Sequence, residues 1–168
     1  MTKPQVYQGD ITFIPLEEFG FTATDVSRDN RLRAHDNRLL IQEGEITGHH
    51  HGVWFVPKPV YLRDDALAHA DAKQMTHDVL ARASAGEFAP AKLYRDDALI
   101  VKIVKSGALD AAAPVIGFLI ADEDVTIRHA SSEGAPTNEH SDVRVSRGGH
   151  VVLGKREFTA GDIRRVQD

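Results

Sequence analysis

Apolar and polar positions alternate over Asp10–Leu16, DITFIPL, and the run is β-branched or aromatic. It reads as a strand that Pro15 stops or confines to an edge. Residues 21–37 are polar and rich in Asp, Arg and Asn, the composition of a long surface loop. Arg38–Thr47 opens as RLLIQ and closes as EGEIT, a strand with a bend at Gly44. Gly52–Pro57 is the next strand, and Pro59–Arg63 prolongs it. The pattern changes at 64–85, where Asp64 and Asp65 suit a helix N-terminus, alanines supply propensity and Gly86 supplies the stop. Leu67, Ala72, Met75 and Val79 give that helix a narrow apolar stripe, enough to cover a sheet but not to form the core.

The strand pattern returns from Leu93. Ala98–Lys105, ALIVKIVK, and Pro114–Ala121, PVIGFLIA, are almost wholly apolar and read as central strands. In Asp124–His129, Val125 and Ile127 face one way, Thr126 and Arg128 the other. His140–Val145 and His150–Lys155 flank SRGG and read as a β-hairpin. At the tail, Thr159 with Asp162 three residues on suggests a capped helical turn. The expected fold is therefore mainly β, a β-sandwich or jelly-roll-like barrel, with one helix inserted at 64–85 into a single domain spanning 1–168.

Composition narrows the chemistry. A 42% hydrophobic and 27% charged chain is ordinary for a soluble globular protein. No apolar run is long enough to span a bilayer, and MTKPQVYQGD lacks a signal-peptide pattern, so the expected setting is the cytoplasm or a virion assembled there. A formal charge of −5 argues against nucleic-acid binding driven by phosphate neutralisation. There is no cysteine, which removes disulfides, thiolate nucleophiles and Cys-based zinc sites. Any transition-metal site must use histidine, carboxylate and water, which suits zinc, iron or manganese. The chain also lacks a GxxxxGK[ST] phosphate loop, a GxSxG elbow and an HExxH pair.

The chemistry that remains centres on GHHHG at Gly48–Gly52. On an extended chain His49 and His51 share a face and His50 takes the other, so an H-x-H pair can reach one ion from one side. A stable site needs a third ligand. His129 and His140 are the leading candidates, with His150 and Glu45 as alternatives. Glu139 and Glu43 are the acids expected to orient the imidazoles from behind. The competing reading is a turn between Gly48 and Gly52 whose histidines bond the backbone. His35, His69 and His77 read as surface residues.

The order of short motifs resembles a family of small bacterial and phage proteins. The shared features are QGD at 8–10, GEITGHHH at 44–51, His129, EH at 139–140 and KREF at 155–158. The family pattern ends in a QREY-like motif, from which Lys155 and Phe158 depart. No activity is established for that family, so the resemblance implies one histidine constellation and a phage-like context rather than catalytic residues. A cupin also carries H-x-H on a barrel strand. Here Gly44 falls one residue too near His49, and GVWFV stands where the cupin glutamate would follow.

Two main functional expectations follow. The first is a non-enzymatic decoration component of a phage or phage-like particle, forming a homo-oligomer or binding capsid proteins, with a metal-binding histidine cluster. The second is a small cupin-like metalloenzyme in which His49, His51 and one of His129 or His140 hold zinc, iron or manganese, with Glu139 or Glu45 as acid/base. A third is an accessory protein that binds a metal or small ligand.

Overall fold

The computed structural model describes residues 5–32, 38–43, 49–54, 89–131, 137, 140–154, 156–159 and 162–165. The helix expected at 64–85 lies outside them. The described chain forms eleven strands: β1 (Val6–Gln8), β2 (Ile11–Pro15), β3 (Arg38–Glu43), β4 (His49–Trp54), β5 (Ala91–Tyr94), β6 (Val115–Ala121), β7 (Val125–Ser131), β8 (Val143–Val145), β9 (Gly148–Gly154), β10 (Arg156–Thr159) and β11 (Asp162–Arg165). One α-helix, α1, runs from Asp97 to Lys105, and a 3-10 turn spans Leu16–Phe19.

A five-stranded antiparallel sheet has the order β1-β2-β9-β6-β5 and a four-stranded one the order β3-β4-β7-β8. The two pack face to face, as expected for a sandwich, and the sheets do not close into a barrel. Their shared core includes Ile11, Phe13, Leu39, Val53, Leu93, Leu119, Ile127 and Val152. Alternate residues of the five-stranded sheet, Tyr94, Phe118, Ile120 and Val151, turn outward and are covered by Leu99 and Ile103 of α1 and by Leu16 and Val26. β6 is thus apolar on both sides because both of its faces are buried.

Three sequence expectations are corrected. Residues 98–105 are helical, not a strand. Asp96 caps the helix, its carboxylate accepting from the Leu99 N–H at 2.9 Å, and Leu99 and Ile103 share the buried face one turn apart. A short apolar run reads equally well in either period, and the cap decides. β8 and β9 do not form a hairpin. β8 pairs with β7 and β9 with β2 and β6, so Ser146 and Arg147 carry the chain from one sheet to the other. A Cβ on Gly149 would lie 2.5 Å from Leu16 Cδ1, so the glycine lets the chain pass beneath the 3-10 turn. The tail is a strand pair and not a helical turn: β10 and β11 are antiparallel with Phe158 opposite Ile163.

Candidate metal centre

The centre is built by strand alternation and register. His51 lies opposite His129 and His49 opposite Ser131 across β4 and β7. Cα partners project to the same face, so His49, His51 and His129 share the face of Val53 and Ile127 that looks into the sandwich. His50 pairs with Ala130 on the other face. His51 and His129 are 0% and 1% exposed. His140 enters half-buried from the segment before β8. One ligating atom from each of His51, His129 and His140 lies within 4.8 Å of the others. The ring centroids are 4.5 Å apart for His51 and His129, 4.7 Å for His129 and His140, and 5.8 Å for His51 and His140.

An acid stands behind the trio, and it comes from the other sheet. The β1–β2 hairpin turns through Gly9 and Asp10, with Gly9 at φ 56°, the first central position of a II′-type turn. Asp10 is buried, and its Oδ1 lies 2.9 Å from His51 Nε2. Its Oδ2 accepts from Gln42 Nε2 at 2.5 Å. Gln42 reaches this place because the β3–β4 register shifts between Leu40 and Gln42, setting Gln42 opposite His51. Burial alone would raise the Asp10 pKa. The hydrogen bond and charge of His51, its own backbone N–H and Gln42 outweigh that and hold the carboxyl below its ordinary 3.8.

The other two histidines of the trio are also fixed. His129 Nδ1 lies 2.6 Å from Thr137 Oγ1, while the Thr137 backbone N–H donates to the His129 carbonyl at 3.1 Å. His140 lies over Gly9, where a Cβ would be 2.6 Å from its Nε2. Any side chain at position 9 would therefore displace His140, in addition to straining the turn.

A carboxylate–imidazole pair that fixes the ring and raises its basicity is the usual support of a metal-ligating histidine. Ligands bound at about 2.1 Å in a tetrahedron sit about 3.4 Å apart. Three ligating atoms within 4.8 Å of one another approach that spacing, so the residues fit a single ion.

Of the residues expected from sequence, His51, His129 and His140 are brought together. His49 flanks them, its ring 5.3 Å from that of His129. His150 is buried elsewhere, in register with Pro15 and Leu119 of the five-stranded sheet. Glu45 and Glu139 lie outside the described residues, and Glu43 stands in register with His50. Asp10, Gln42 and Thr137 were not foreseen. QGD was visible as a motif, but nothing local tied it to a histidine more than forty residues away.

Fold and geometry together define an antiparallel β-sandwich with a three-histidine cluster, two of its rings fully buried, at one end of the core. No family model matches this chain, and no curated protein or solved structure is significantly similar to it.

Proposed function

We propose that this protein is a metal-stapled structural module, in which one zinc, iron or manganese ion on His51, His129 and His140 ties β4, β7 and the segment before β8 together and fixes the His51 ring that Asp10 of the facing sheet engages. The observation that carries this reading is the trio itself, three ligating atoms within 4.8 Å of one another, two of them on fully buried rings. The support of His51 by Asp10 across the sandwich favours a stapling role, since the acid belongs to one sheet and the ligand to the other. The context we adopt is the phage-like particle suggested by the motif order, with the chain as a non-enzymatic component that assembles with copies of itself or with shell proteins.

Native mass spectrometry of untagged protein, before and after chelation, tests the centre. One ion per chain is expected. Its removal should lower Tm by about 5 °C or more, the effect of losing a ligand held well above its Kd. A chain that stays metal-free with these metals supplied, and whose Tm ignores chelator, would overturn the reading.

One observation favours the metalloenzyme as a second reading. His49 and His140 are only half-buried, so the centre is approached from that side. A catalytic ion keeps an exchangeable position for water or substrate, whereas a structural one is closed by protein ligands.

A further inference from the structure

We infer that Gln8 supplies the fourth ligand, through its side-chain carbonyl oxygen, and closes the centre. The inference rests on the metal reading above and extends it to the feature that separates a structural ion from a catalytic one. Gln8 lies opposite Ile11 on the inner face of the β1–β2 hairpin and is 2% exposed, while its neighbour Tyr7 is 62% exposed. Its Nε2 donates to two backbone carbonyls, Ile127 at 2.9 Å and Ser141 at 3.1 Å. A carbonyl oxygen can only accept, so the end of the amide that meets two of them is the NH2 group. The oxygen is thereby turned toward the histidines and lies 3.4 Å from His51 Nδ1.

That distance is long for an N–H···O hydrogen bond, whose usual length is about 2.9–3.0 Å. It matches the edge of a tetrahedron whose bonds are about 2.1 Å. The tautomers agree. Asp10 engages Nε2 of His51, which assigns Nδ1 to the ion. Thr137 engages Nδ1 of His129, which assigns Nε2. Gly9 next in sequence leaves the room in which His140 approaches Gln8's end of the hairpin. The carbonyls that hold the amide belong to β7, two residues before His129, and to Ser141, next to His140. The same two segments that carry His129 and His140 therefore aim the oxygen.

Cobalt(II) loaded into the untagged full chain in place of the native ion provides the test, because its visible d–d spectrum reports the ligand set. With four protein ligands, the wild-type spectrum should not change on adding azide. Gln8→Leu should bind cobalt at least about tenfold more weakly and should acquire an azide-dependent spectrum. Gln8→Asn, which draws the amide back by one methylene, should behave in the same way and serves if Gln8→Leu does not fold. A wild-type spectrum that shifts with azide overturns the inference, as does a Gln8 variant with unchanged affinity and spectrum. Failure of the metal reading looks different: wild type shows no cobalt spectrum, or His129→Ala keeps it.

Discussion

The two faces of this sandwich solve burial differently. Beneath α1, Phe118, Ile120 and Val151 pack against Leu99, Ile103 and Leu16. This layer is apolar, so its stability scales with area removed from water and tolerates exchange among residues of similar volume. At the end of the inner core, His51, His129, Gln8, Asp10 and Gln42 are equally buried, but each must meet a particular partner. A hydrogen bond there contributes only about 1 kcal/mol net, yet leaving one partner unmatched costs about 1–3 kcal/mol. The first layer stabilises by quantity and the second by matching. A protein that retains a polar cluster of this kind gives up easy core packing, which is expected where the cluster binds something.

The comparison can be broken most forcefully from the apolar side. Phe118→Ala should destabilise by about 3–5 kcal/mol in denaturant unfolding. It should leave the number of bound ions per folded chain unchanged, since Phe118 faces away from the histidines. A loss of metal in the folded fraction of that variant would show that the two layers are coupled. His129→Ala should cost about 2–4 kcal/mol through its cavity and stranded partners, and it should also abolish stoichiometric metal by elemental analysis.

Asp10→Asn sharpens the contrast further. It should lower metal affinity about 10–100-fold in a competition titration. Without metal it should cost about 1–3 kcal/mol at pH 7. The pH dependence has a definite sign. The folded Asp10 pKa lies below its ordinary 3.8, so its stabilisation is complete above that value and is lost as pH falls through the folded pKa. The wild-type advantage over Asp10→Asn should therefore shrink below about pH 4 in urea melts. An advantage that grew on acidification would mean that the carboxyl is held protonated in the fold.

Smaller effects come from outside both layers. Asp96→Ala removes the α1 cap and should cost about 1 kcal/mol with no change in metal content. His50→Ala, on the opposite face from the trio, should move Tm least, by less than the shift from His51→Ala in parallel thermal scans. Equal shifts from His50→Ala and His51→Ala would remove the argument from strand alternation.

Local pattern carried much of this molecule. Alternation placed β2, β7 and the later part of β4, and for an extended chain it set His49 and His51 on one face before any pairing was known. The doubly apolar β6 announced a central strand, and the absence of cysteine confined any metal site to nitrogen and oxygen ligands. Pattern has a short range, however. ALIVKIVK satisfied both periods, and only the Asp96 cap and the packing of Leu99 and Ile103 on the sheet settled it as helix. His140–Val145 and His150–Lys155 looked like a hairpin because alternation describes a strand but not its neighbour.

What the sequence determined by itself was therefore the mainly β class, several of its strands and the face shared by His49 and His51, all set by the fixed two-residue period of an extended chain. The tertiary structure alone decided which residues surround that face. Gln8 meets Ile127 across 119 positions of chain, and Gln42 reaches Asp10 across 32 through a register shift. Such partners are chosen by the need to satisfy buried polar groups once the sheets have packed, a condition that no local pattern encodes.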